Sequence, residues 1–303
     1  MDTQSGQTGG DHRLGGFTSD TVDRVRETGN VWRVPGGELV LPKVFGFCRG
    51  VKRALTLLDE AVTNWNRRGK RMFLLGEIIH NPWVNRYFRE RGVRILTRAQ
   101  RQDLERYVTA DDGAVIPAFG VPPAIERWLE RIGCEVVDST CGDVLRLWKW
   151  AERAAREGYG VVVYGRPNHD ETVVTRARLA EAGGRYLVLR SLEAVETFCG
   201  MVAGGRDAPE FSQVFDDETT NADSLSSFLR LAQVSQTTML YSDTLRVRER
   251  IREAFEERSG AHEAAGRVLF QPTVCLATQQ RQEAAVELCS SGCDVVIVIG
   301  GAG

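Results

Sequence analysis

The chain has no Cys-x-x-Cys pair, no long apolar run and only four histidines among its 303 residues. Without paired cysteines, zinc ribbons and two-cluster ferredoxin spacings are excluded. No apolar run reaches the roughly 18 residues of a membrane helix, so no membrane partner is expected. The opening MDTQSGQTGGDHRLGG lacks the apolar centre of a secretory signal, which makes the expected location cytoplasmic. Charge of one sign is also missing: 39 basic against 41 acidic residues leave a net charge of −2, and no footprint for nucleic acid or an anionic surface.

Cysteine itself is present seven times. In a reducing compartment these are not read as a disulfide framework, and metal binding or catalysis is the better expectation. Three of them open the same pattern. Cys48, Cys141 and Cys275 each precede a helical stretch, an apolar run and a glycine, namely Gly76, Gly165 and Gly300, at 24 to 28 residues' distance. Three equivalent units with one thiol each can bring those thiols together around a pseudo-threefold axis. Cys134, Cys199, Cys289 and Cys293 lack this context and are expected to be buried and inert.

After Cys48, residues Val51, Ala54, Leu55, Leu58, Ala61, Val62 and Trp65 fall on one helical face, and MFLLG follows as a buried strand. The second unit repeats this with Val144, Leu147, Trp148, Ala151 and Ala155 before VVVYG; the third offers Ala277, Ala284, Ala285 and Leu288 before DVVIVIGG. Apolar strands without alternation suit parallel sheets covered by helices, so the expected fold is α/β. The expected organisation is a disordered tail over 1–38, a first unit over 39–141, a second over 142–274 with a surface insertion near 200–223, and the start of a third over 275–303. A short helix over Arg98–Tyr107 and a longer one over Ser242–Glu257 complete the reading. The chain stops at the end of its last expected strand, which reads as a truncation.

Ligands bind at the carboxyl ends of parallel strands, so the residues after each glycine matter. The first unit places Glu77, His80 and Asn81 there, and the second His169, Asp170 and Glu171. Two of the four histidines thus occupy matched positions, where imidazoles and turn amides would suit a phosphate or diphosphate. Glu171 is the candidate proton donor, since burial raises a carboxyl's pKa toward neutrality. Ser235, Gln236, Thr237 and Thr238 end another strand and offer hydroxyls. Three thiolates admit two metals: a tetrahedral zinc with a histidine, or a four-iron cluster with one iron free of protein ligands.

The segments GFCRGVKRAL, GEIIHNPWVN, PAFGVP, DSTC, HDETV, QTTML and ATQQRQEA, in this order from about Phe45 to the last residue, resemble the 4-hydroxy-3-methylbut-2-enyl diphosphate reductase (LytB/IspH) family, in its plant and cyanobacterial form. The resemblance implies a trefoil of three α/β units around a [4Fe-4S] cluster held by Cys48, Cys141 and Cys275. It implies an iron-sulfur oxidoreductase of non-mevalonate isoprenoid biosynthesis. Such an enzyme removes an allylic hydroxyl with two electrons and two protons, giving isopentenyl and dimethylallyl diphosphates. By the same similarity the substrate hydroxyl meets the open iron, Glu171 delivers protons, and Thr237 or Thr238 lies near the hydroxyl. His80, Asn81 and His169 hold the diphosphate, and a ferredoxin or flavodoxin supplies electrons.

Three departures from the family pattern stand out. Phe119 replaces a histidine found in many relatives, Gly142 replaces the proline that usually follows the second ligand, and a Ser-Ser-Asn segment expected after the third glycine pair is missing. They lead to an expectation of little reductase activity for the chain as written. Two other readings stay open beside the reductase: a non-catalytic iron-sulfur or zinc sensor derived from the same fold, and a quinolinate-synthase-like enzyme with a three-cysteine cluster.

Overall fold

The computed structural model describes residues 17–204 and 210–300. The first part of the expected tail, the middle of the expected insertion and the last three residues lie outside the described residues.

The first elements are a helix α1 (Asp20–Glu27) and a hairpin of β1 (Val31–Val34) and β2 (Gly37–Val40). The expectation of disorder to residue 38 is therefore corrected from Asp20 onward. Ser19 caps α1, and Val31 to Val34 pair antiparallel with Gly37 to Val40.

The first sheet is built from α2 (Arg49–Arg67), β3 (Met72–Leu74), α3 (Pro82–Glu90), β4 (Val93–Ile95), α4 (Arg98–Arg101), β5 (Gly113–Ile116), α5 (Pro123–Ile132) and β6 (Glu135–Asp138). Its order is β4-β3-β5-β6, with every pair parallel. The apolar face of α2 packs Leu55, Leu58, Val62 and Trp65 against Leu74 and Val115, and Phe73, Ala114 and Leu129 form the opposite layer. Burying one such leucine stabilises by about 1.5–3 kcal/mol. Burial on both faces is what a continuous apolar strand requires. The helix expected over Arg98–Tyr107 breaks after Arg101 into a 3-10 turn at Leu104–Arg106.

The second sheet follows from α6 (Gly142–Arg156), β7 (Gly160–Tyr164), α7 (Asp170–Glu181), β8 (Tyr186–Leu189), α8 (Leu192–Ala203), α9 (Phe211–Val214), β9 (Leu231–Ser235), α10 (Tyr241–Ser259), α11 (Ala261–Ala264) and β10 (Val268–Phe270). Its order is β10-β9-β7-β8, again all parallel. Helices α8 and α10 cover one face and α6 and α7 the other. The segment expected as a surface insertion contributes to this core: Phe211, Phe215 and Ala222 are buried with Phe198 and Phe228, and Thr220 bridges to Leu187.

Helix α12 (Leu276–Ser290) represents the third unit. The strand expected over 294–300 does not form, and Val295 to Ile299 are exposed. A strand needs a neighbour to receive its amides and carbonyls, and no further strand beside it exists among the described residues. For the same lack of cover Cys289 and Cys293 are exposed, which corrects the expectation of burial, whereas Cys134 and Cys199 are buried as expected. Among the described residues no helix is long and apolar enough to cross a membrane.

Candidate functional site

The three repeated cysteines occupy one structural position. Cys48, Cys141 and Cys275 are the N-caps of α2, α6 and α12, all with extended backbone. An N-cap faces unpaired amides and the positive end of the helix dipole, which favours a thiolate. The Cys48 sulfur accepts from the Val51 amide at 3.4 Å.

Two of the thiols, those of Cys48 and Cys141, lie on either side of one glycine. A Cβ on Gly50, in the first turn of α2, would stand 2.7 Å from the Cys141 sulfur and 3.9 Å from that of Cys48. Glycine thus leaves the space in which two cysteines from different units approach. Burial pushes the Cys275 thiol up to about 11, with Asp143 hydrogen-bonded to it and Cys48 close enough to add to the rise. Burial likewise raises Cys141, against the pull of the Asp143 and Val144 amides. Without a cation these thiols keep their protons; a metal centre would remove them. Among the described residues no group of three or more His, Cys, Asp or Glu side chains is arranged to hold a metal ion by itself.

Glu171 is fully buried in the first turn of α7. The Thr237 amide donates to its Oε1 at 2.6 Å, and the Thr237 hydroxyl lies 2.5 Å from Oε2. Burial raises its pKa to about 7, although the Thr237 contacts pull the other way. Thr237 also joins this carboxyl to the thiol layer, because the Cys275 amide donates to the Thr237 carbonyl at 2.7 Å.

His80 and His169 meet across the two sheets, their rings 4.9 Å apart and nearly perpendicular. Phe119 completes the group, stacked on His80 at 4.8 Å and edge-on to His169 at 5.0 Å. Its loop is tied to Cys141, whose amide donates to the Ala118 carbonyl at 2.9 Å. His169 caps α7, and its Nδ1 accepts from the Glu171 amide at 3.2 Å. That bond fixes the neutral tautomer with its proton on Nε2. Burial lowers the His169 pKa to about 4, with His80 adding to the effect, so the ring is a neutral donor at pH 7. His80 Nδ1 faces Glu77 at 3.2 Å.

Two candidate residues stand apart. The Asn81 side-chain oxygen accepts from the Trp83 and Val84 amides as the cap of α3, which commits it to the backbone. Thr238 is exposed and takes a hydrogen bond from Gln236 at 2.6 Å. Ser235 is buried and linked to Thr244 and Thr273, within the fold rather than at the site. Sequence reasoning passed over Gln236 as a hub: its oxygen accepts from the Arg166 amide and the Thr172 hydroxyl, which fixes the end of β9 against the turn after β7. It also passed over Asp143, which is hydrogen-bonded to the Cys275 thiol and lies near Glu171. A charged residue two positions after Cys141, at the N-terminus of a predicted helix, was the available signal.

A sequence profile of the LytB protein family matches residues 39–303. The 4-hydroxy-3-methylbut-2-enyl diphosphate reductase of a Synechococcus strain is 32% identical, over 94% of this chain and 70% of the relative. The enzyme of the same name from Gloeobacter violaceus is 31% identical, over 94% and 68%. Among solved structures, an (E)-4-hydroxy-3-methyl-but-2-enyl diphosphate reductase, the terminal enzyme of the non-mevalonate pathway, superposes with a TM-score of 0.56 at 26% identity, over 83% of this chain and 73% of that one. The Plasmodium falciparum reductase shares the fold, with a TM-score of 0.59 at 20% identity.

Proposed function

The chain belongs to the LytB family, and we infer from this membership and from its site that it is a 4-hydroxy-3-methylbut-2-enyl diphosphate reductase. The reaction breaks the allylic C–O bond, takes up two electrons and two protons, and yields water with isopentenyl or dimethylallyl diphosphate.

The observation that carries this reading is the continuous link from thiol layer to proton donor: Cys275 amide to Thr237 carbonyl, and Thr237 amide and hydroxyl to Glu171. It ties a carboxyl with a pKa of about 7, through Thr237, to the backbone of one of the three repeated cysteines.

The thiols fit a [4Fe-4S] cluster with three protein ligands. Three N-cap cysteines offer one thiol each, and the hollow that a Gly50 Cβ would fill lies between those of Cys48 and Cys141. When bound, such a cluster supplies single electrons and one iron without a protein ligand. The chain's own groups do the rest. His169 Nε2–H and the imidazole of His80 receive the diphosphate, and Phe119 holds both rings. Glu171, protonated in part at neutral pH, donates through or beside the Thr237 hydroxyl to the substrate.

Electrons come from a small acidic carrier of the ferredoxin or flavodoxin kind. A cleft of about 410 Å³ reaches Cys48 from the surface and is lined by Arg26, Lys43, Arg49 and Arg281, a charge that suits such a donor.

Complementation of cells lacking their own reductase tests the reading. Growth supports it; no growth by a chain that carries its full iron complement favours the non-catalytic cluster protein.

A further inference from the structure

Between the imidazole pair and Glu171 runs a link that the reaction does not itself require. Arg101, in α4 of the first unit, has only 10% of its side chain exposed. Its Nη1 donates to the Leu75 carbonyl at 3.2 Å, immediately before the turn that leads to His80. Its Nη2 donates to Asp170 Oδ1 at 3.2 Å. Gly76 makes room for this guanidinium: its φ is +125°, and a Cβ there would stand 3.2 Å from Nη1. Asp170 lies between His169 and Glu171 in the chain and is the first residue of α7. Arg98 adds a second hold from the same helix, to Asp170 at 3.3 Å and to the Asn168 carbonyl at 3.1 Å.

We propose that Arg101 is a positioning residue for the site: it joins the loop bearing His80 to the helix start bearing His169 and Glu171, and so sets the spacing of the two imidazoles that receive the diphosphate. This rests on the reading of those imidazoles as the anion site. A guanidinium that bonds a carbonyl and a carboxylate at once, in fixed fork geometry, transmits position in a way that one flexible ion pair does not. Because both partners belong to short backbone segments next to functional residues, a shift of either end moves an imidazole. The carboxyl of Asp170 stays ionised here, since Arg101 and Arg98 together outweigh the effect of its burial.

An ordinary salt bridge between the same two units provides the control. Arg127 of α5 pairs with Glu181 at the far end of α7, on the surface and remote from the site. Removing it loosens the docking of α7 without touching either imidazole.

The test is isothermal titration of the full chain with inorganic pyrophosphate, for the parent, Arg101→Met, Arg101→Lys and Arg127→Met. The expected result is at least about tenfold weaker binding in Arg101→Met, partial recovery in Arg101→Lys, and less than about twofold change in Arg127→Met. Equal weakening by Arg101→Met and Arg127→Met, or no weakening by Arg101→Met, overturns the proposal. Should Arg101→Met fail to fold, Asp170→Asn cuts the same link from its other end and is read in the same way. Pyrophosphate binding requires no turnover, so a parent that binds it but reduces no substrate counts against the reductase reading alone. A parent that binds no pyrophosphate sinks the anion site, and this inference with it.

Discussion

The loops after β3 and β7 occupy equivalent places in two parallel sheets, yet they use their histidines differently. In the first loop Asn81 caps the next helix, and His80, one residue earlier, is left to face Glu77 and Phe119. In the second loop His169 is itself the cap, its Nδ1 engaged by the Glu171 amide and its ring half-buried. A shift of one residue between cap and imidazole separates a ring outside the helix cap from one that forms it. The first helical turns differ as well: that of α7 carries Glu171, bonded to Thr237, where that of α3 carries Trp83.

The sharpest way to break this comparison is to remove the feature found in one loop only. Glu171→Gln is expected to lower turnover by roughly 100- to 1000-fold while iron content stays at the parent level. A variant with near-parent turnover would remove Glu171 from the proton path, and one that loses its iron would make it structural.

The opposite pKa shifts in the second loop predict two opposing limbs in the pH dependence of stability. His169, lowered from 6.5 to about 4, resists protonation only when folded, so its contribution is present above 6.5 and is lost as pH falls toward 4. Glu171, raised from 4.5 to about 7, favours the proton when folded, so its contribution is present below 4.5 and is lost as pH rises through 7. Each limb is worth roughly 3 kcal/mol, and in the parent they largely cancel between pH 4.5 and 6.5. Denaturant unfolding of Glu171→Gln across this range should expose the His169 limb, with stability rising as pH rises. A flat profile in that variant contradicts the assignment.

Smaller effects distinguish cap from free ring. His169→Ala removes a cap and is expected to cost about 1 kcal/mol in unfolding free energy. His80→Ala removes no cap and should change stability by less than about 0.5 kcal/mol, although both weaken pyrophosphate binding. Equal losses of stability would erase the distinction between the loops. At the weak end lies Gly142, the first residue of α6, where a Cβ would meet nothing within 4 Å. Proline suits this position, so Gly142→Pro is expected to raise stability by about 0.4–1 kcal/mol without loss of iron. A fall in thermal midpoint would show that the family's usual proline does not fit here.

The sheets and the thiols were legible in the sequence because they rest on local signals. Runs such as VVVY and the repeated face Leu55, Leu58, Val62 become buried β7 and α2, and a cysteine before each of three helices becomes its cap. Asn81, expected among the substrate-binding residues, carries the cap signature of Asn before Pro, and its side-chain oxygen accepts from the Trp83 and Val84 amides. The hairpin at Val31 to Val40 was hidden in a tail judged by its overall polarity, despite the turn residues Pro35, Gly36 and Gly37 between two β-rich stretches. No local pattern announces the bond between Arg101 and Asp170, because the partners lie 69 residues apart and only packing of the two units joins them. The final apolar run shows the reverse case: a strand-like sequence with no strand beside it among the described residues stays irregular.

The central claim is that Cys48, Cys141 and Cys275 converge to hold a four-iron cluster beside Glu171. Iron, sulfide and zinc analysis of the anaerobically purified protein, alongside a triple Cys→Ser variant at these positions, tests it most directly. The account predicts about four irons and four sulfides per chain in the parent and none in the variant. Zinc alone in the parent, or iron retained by the variant, contradicts it.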